Sequence, residues 1–224
     1  QVLEEIYGTL LQNRGKMNTK DKILNKALEL FNSEGSSNIS TNHIAKALDM
    51  STGNLYYHFK NKESIIRTLL QRMIEEYDEV FRENFPKKED MILESLLFDD
   101  TKTAIKYKFL YNELNILFKR DRELEAIFIE NQTKREKVFN DIFKFLQEKE
   151  YIQKNISDFV LNNAIKIIWY LENFRFFRYE LEGRDVKRVE DLDLQEILLE
   201  RLIPIYGLLT DKGKVYFESE KYLR

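Results

Sequence analysis

The sequence predicts an all-α protein with a small N-terminal helical domain and a larger helical domain behind it, and three observations carry that expectation. The 224 residues hold only seven Gly and two Pro, so few positions interrupt regular structure, and Leu, Ile, Glu, Lys and Asn dominate between them. Apolar residues recur three and four apart along most of the chain, with no alternating pattern to compete. A stretch of about 25 residues around Ser40 to Lys62 reads as two short helices joined by a tight turn.

Composition narrows the function. A hydrophobic content of 43% is ample for a packed core. The chain has no cysteine, which removes disulfides, thiolate catalysis and cysteine metal sites together and suits a reducing, cytoplasmic setting. No apolar run approaches the roughly 20 residues that span a bilayer, so no membrane partner is expected. The net charge of −3 conceals an asymmetry. Residues 17–62 hold six Lys against four Asp and Glu, a balance of +2, which leaves −5 for the rest. Phosphate binding needs a local positive field, because salt screens charges beyond about 10 Å.

In chain order, residues 1–16 carry Val2, Leu3, Ile6 and Leu10 at helical spacing before Met17, and read equally as an N-terminal extension or as a segment added for expression. A helix is expected from Asn18 or Thr19, with Ile23, Ala27, Leu30 and Phe31 on one face, ending at Ser33-Glu-Gly35, where Gly35 suits a C-terminal cap. Ile44, Ala45 and Leu48 mark the first helix of the tight pair, and Leu55 and Phe59 the second. Small Ala45 permits close approach, Asp49 tolerates the turn conformation and Ser51 supplies a cap. Asn61 caps a long helix that ends at Phe85-Pro86. Further helices are expected over 88–98, 102–119, 121–149, 156–181, 193–209 and 211–222, with Pro204 kinking or ending the fifth of these. The expected domains are 17–63 and 64–224.

The tight pair is a helix-turn-helix. Thr52, Gly53 and Asn54 open its second helix, where side chains can face base edges; Gly53 permits close backbone approach, and the Asn54 amide can pair with adenine. Thr41, Ser51 and Asn61 mark helix N-termini, whose unpaired N–H groups favour phosphate. The run from Ser51-Thr-Gly-Asn-Leu-Tyr-Tyr-His-Phe-Lys-Asn-Lys-Glu-Ser-Ile65, preceded by Ile44-Ala-Lys46 and by a helix ending in Glu-Gly, closely resembles the DNA-binding domain of the tetracycline-repressor (TetR) family. The resemblance covers about 50 residues, and its Leu-Tyr-Tyr-His-Phe core, followed two residues later by Lys-Glu, is the distinctive part. It implies a homodimeric, ligand-responsive transcription regulator, a repressor by family default, acting on double-stranded operator DNA. By the same resemblance Tyr56, Tyr57, His58 and Lys62 would touch the sugar-phosphate backbone while Thr41 and Asn42 approach adjoining phosphates, as positioning contacts. The sequence departs from the family pattern at Leu48-Asp49-Met50, where Ala-Gly and an aliphatic residue are commoner, and its recognition helix lacks Arg.

Residues 63–224 hold 24 of the 29 aromatic residues. Most must be core; polar residues set among them are the candidates for orienting a small-molecule effector of apolar or aromatic character, namely Asn112 and Asn115 near Phe118, and Asn173 beside Trp169. The helices over 156–181 and 193–209 are the expected dimer pair, with Ile168, Leu171, Leu198, Leu202 and Ile205 as interface candidates. An enzyme lacks support: both histidines lie in or beside the motif, and no Gly-rich phosphate loop, metal set or cofactor motif is present. Carboxylate chemistry at Glu113, Glu123 or Glu172 competes with plainer surface or ion-paired roles. A helical adaptor that uses the motif without DNA is the other alternative.

Overall fold

The computed structural model describes residues 18–84 and 100–218. Among them are ten α-helices, and side-chain caps open most of these. The Asn18 amide oxygen accepts from Asp21 N at the start of α1 (Thr19–Glu34). Ser40 and Ser51 do the same for α2 (Thr41–Ala47) and α3 (Thr52–His58), and Asn61 Oδ1 accepts from Ser64 N at the head of α4 (Lys62–Asn84). Each cap satisfies backbone donors that the helix itself leaves open, worth about 1 kcal/mol apiece.

The chain divides into two compact units within α4, between Leu69 and Leu70. In the first, α1 buries Ile23, Leu24, Ala27, Leu28 and Phe31 against Ile44 and Ala45 of α2, Leu55 of α3, Phe59, and Ile65, Ile66 and Leu69 at the start of α4. Ala45 is 1% exposed, so a larger side chain there would hold α2 and α3 apart. The turn between them is a full Schellman closure: Met50 N donates to Ala45 O and Asp49 N to Lys46 O, with Asp49 at φ 52° in the position glycine usually takes. Gly35 has the expected positive φ of 81°, and its N–H donates to Phe31 O.

The second unit contains the remainder of α4 with α5 (Asp100–Lys106), α6 (Lys108–Arg120), α7 (Arg122–Glu148), α8 (Asp158–Leu181), a short 3-10 turn at Val189–Asp191, α9 (Leu194–Tyr206) and α10 (Asp211–Phe217). The helix expected over 102–119 is two helices. Tyr107 leaves helical geometry at φ −112°, ψ 27°, and its fully buried ring sends the hydroxyl to Glu76 Oε1 at 2.8 Å. The helix expected over 88–98 lies outside the described residues, as do 219–222. Pro204 stands inside α9, which ends two residues later. Two more Schellman closures, with Glu150 (φ 61°) and Gly183 (φ 70°), end α7 and α8.

The core of this unit joins Ile142, Phe143 and Leu146 of α7, Ile165, Ile168 and Phe176 of α8, and Ile197, Leu198, Leu202 and Ile205 of α9. An isolated antiparallel bridge pairs Ile152 with Leu209 and fastens α10 over the end of α7. Gly213 permits this docking, because a Cβ there would lie 1.9 Å from Tyr151 O.

Candidate functional site

Two surfaces answer to the expected chemistry, one in each unit. In the first unit α3 is held to the core by a single side chain, Leu55, with Phe59 anchoring its C-terminal end. Thr52, Gly53, Asn54, Tyr56 and Tyr57 are consequently all exposed. A helix that commits so little of its circumference to packing is shaped to project into a groove. Tyr57 is 85% exposed, its ring edge-on to His58 at a centroid distance of 5.2 Å. Tyr56 shares a hydrogen bond with Thr41, hydroxyl to hydroxyl at 3.0 Å, so two of the expected phosphate contacts arrive as one joined pair across α2 and α3. Asn42 and Ser51 are exposed, and Ser51 Oγ accepts from Asn54 N at 3.1 Å.

Two residues have roles that spacing did not announce. The Lys62 ammonium donates to Ser36 O at 2.6 Å and Ile39 O at 2.9 Å, which commits two of its three N–H groups to closing the loop between α1 and α2. His43 Nδ1 accepts from Ser40 N at 3.4 Å while Ser40 Oγ accepts from His43 N, a reciprocal cap on α2.

The second unit contains a cavity of about 180 Å³. Its walls come from Met73 and Tyr77 of α4, Tyr111 of α6, the face of α7 from Phe128 to Leu146, Ile168, Trp169, Glu172 and Asn173 of α8, Leu198, Arg201, Leu202 and Ile205 of α9, and Tyr216 and Phe217 of α10. Trp169 and Asn173 therefore line it, with the Asn173 amide N–H donating to Trp169 O at 2.7 Å. Phe118 is one layer back, its ring 5.1 Å from that of Phe128. Asn112 and Asn115 are exposed and not among the lining residues.

The charged groups of the cavity are tied to partners. Glu172 accepts both terminal nitrogens of Arg175, at 2.8 and 2.9 Å, and the Arg201 Nε. Burial pushes its carboxyl upward, but the Arg201 and Arg175 guanidinium groups prevail and hold it at about 2. The network runs on along α8 and α9: Arg175 to Glu200, Arg178 to Glu196 and Glu200, Arg184 to Glu196. Arg135, projecting from the apolar face of α7, donates from Nη2 to Asp78 Oδ1 at 2.7 Å and to Ile74 O at 3.3 Å, and lies 5.5 Å over the Tyr77 ring. A lone arginine in the apolar register of Phe128, Phe139, Ile142 and Leu146 was the available signal for this last contact.

Outside the cavity, α8 is apolar on its far side as well. Ile167, Tyr170, Phe174, Phe177 and Leu181 are all exposed and repeat at alternating steps of three and four, and Leu199, Ile203 and Tyr206 do likewise on α9. Of the residues expected at a dimer interface, Leu171 borders this stripe at 37% exposure, whereas Ile168, Leu198, Leu202 and Ile205 pack inside the unit. The register of the outward face differs because the inward face of both helices is taken by the core.

Comparison with known proteins gives two family matches: bacterial regulatory proteins of the tetR family over residues 23–69, and bacterial transcriptional repressor TetR over residues 82–217. The chain is 36% identical over 117 residues to the HTH-type transcriptional regulator QacR of Staphylococcus aureus, covering 52% of this chain and 55%, little more than half, of that protein. It is 26% identical over 168 residues to the probable HTH-type transcriptional regulator YttP of Bacillus subtilis, covering 70% and 79%. Among solved structures, a TetR-family transcriptional regulator from Marinobacter aquaeolei superposes with a TM-score of 0.78 at 27% identity, covering 93% of this chain and all of that one.

Proposed function

This chain belongs to the TetR family of bacterial transcriptional regulators, and we propose that it is a homodimeric cytoplasmic repressor that holds operator DNA through α3 and releases it when a small molecule occupies the cavity of the second unit. The observation that carries the DNA half of this reading is α3 itself, which spends one side chain on the core and offers Thr52, Gly53 and Asn54 to a major groove, with the exposed Tyr57 beside them for the sugar-phosphate backbone. Tyr56 with Thr41, Asn42, Ser51 and His58 stand beside the adjoining phosphates, and Lys62 holds the loop that positions them.

The dimer half rests on the apolar stripe of α8 and α9. A helix apolar on both faces belongs in an interior, and two such helices with a symmetry mate form a four-helix bundle that removes the stripe from water. The aromatic lining of the cavity favours an effector with a flat, apolar body. An enzymatic role draws no support from Glu172, because its carboxylate is committed to two arginines. No helix among the described residues is long and apolar enough to cross a membrane.

Fluorescence anisotropy with the DNA upstream of the protein's own gene tests the reading. Specific binding that weakens linearly in log salt is expected. Absence of binding at every salt concentration would favour the adaptor.

A further inference from the structure

The ion pairs in the cavity wall differ in how readily a ligand can exchange them. Glu172 is held by Arg175, whose side chain is 2% exposed, so a cation that took Glu172 away would cost a buried guanidinium its two short hydrogen bonds and leave it the 3.5 Å contact to Glu200. The Asp78 side chain is 47% exposed, so an anion that replaced it at Arg135 would release Asp78 into water at low cost. A cavity of about 150 Å³ takes benzene, and this one, at about 180 Å³ and partly open, accommodates a ring bearing small substituents.

We infer that the effector is an aromatic carboxylate whose anionic group displaces Asp78 from Arg135 and so unfastens α4 from α7. This rests on the reading of the cavity as the effector site. The exchange gives ligand binding a mechanical consequence, since Arg135 grips α4 twice, at the Asp78 carboxylate and at the Ile74 carbonyl. The same helix begins at Lys62 as the closing element of the DNA-reading unit. A ligand that binds only when Arg135 lets go of Asp78 favours one arrangement of α4 over another, as any effector must.

Three probes of similar size test the charge: 4-methylbenzoate, 4-methylbenzamide and 4-methylbenzylammonium, each followed by thermal shift and by release of bound upstream DNA. The benzoate should bind at least tenfold more tightly than the amide and should release DNA, while the ammonium has no effect. Arg135→Gln should erase the benzoate's advantage. Asp78→Asn should bind the benzoate at least threefold more tightly, because the internal competitor is weakened, and should hold DNA less well without any ligand. Asp78→Asn is isosteric at a half-exposed position, so it carries the test even if Arg135→Gln does not fold. Equal binding of amide or ammonium, no binding of any probe by a protein that still holds DNA, or an Asp78→Asn variant indistinguishable from wild type would overturn the inference. Failure of the wild type to bind DNA would overturn the proposed function instead, and leaves the thermal-shift ranking of the probes as an independent reading of the cavity.

Discussion

The two units solve the problem of placing functional groups in opposite ways. In the DNA-reading unit, the side chains that hold the fold, such as Phe31, Ile44 and Leu55, are buried, and those offered to a ligand, such as Thr52, Asn54 and Tyr57, are exposed; the two sets do not overlap. In the larger unit they coincide. Ile142, Phe143, Leu198 and Leu202 are core residues and cavity wall at once, and Glu172 lines the cavity while anchoring the ion network between α8 and α9. Function and stability should therefore separate under mutation in the first unit and remain coupled in the second.

The largest effect is expected in the coupled unit. Glu172→Gln removes the carboxylate that Arg175 and Arg201 share and leaves Arg175 the longer contact to Glu200 at 3.5 Å, a break worth about 3–5 kcal/mol for a buried pair, to be read by chemical denaturation. Because the carboxyl of Glu172 sits at about 2 against an ordinary 4.5, its contribution is complete above the ordinary value and is lost as pH falls towards the folded one. The gap between wild type and variant should thus be widest at neutral pH and close on the way to pH 2; a gap independent of pH would contradict the pairing. Next, Leu55→Ala should cost about 2–5 kcal/mol and lower the unfolding transition of the DNA-reading unit. Gly213→Ala puts a Cβ against Tyr151 O and should cost about 1–3 kcal/mol by overpacking, loosening α10, whose Tyr216 and Phe217 line the cavity.

The smallest stability effects belong to the separable unit, where binding should change instead. Asn54→Ala should alter base preference by about 1–3 kcal/mol at one position, with an unchanged melting temperature. Tyr57→Phe should weaken binding to all sequences alike, as expected of a phosphate contact. Equal loss of discrimination from both would contradict the assigned roles. Gly53→Ala meets open space on the protein side, where the nearest side-chain atom is Ser51 Oγ at 4.0 Å. It should leave the fold intact, or up to about 1 kcal/mol more stable, and still weaken DNA binding.

The same contrast explains what was legible in the sequence. The DNA-reading unit is built from local signals: caps at Asn18, Ser51 and Asn61, a turn at Asp49, and apolar pairs four apart, each read within a few residues. Lys62 escaped that reading because its partners, Ser36 and Ile39, are more than 20 residues away. In the larger unit nearly every helix was visible from its period, but the cavity was not, since it depends on which face of each helix turns inward. Asn112 and Asn115 have aromatic neighbours in sequence and solvent in space. Arg135 has apolar neighbours in sequence and finds its carboxylate, Asp78, on another helix. For α8, apolar on two faces, periodicity could not say which stripe is core, and the outward one fell a residue away from Ile168.

Hydroxyl-radical footprinting on the DNA upstream of the gene tests the central claim most directly. A symmetric pair of reading units predicts two protected half-sites related by a two-fold axis, with centres separated by a whole number of turns of about 10–10.5 base pairs. A single unpaired footprint, or uniform protection without a boundary, would contradict a dimer that reads DNA through two copies of α3.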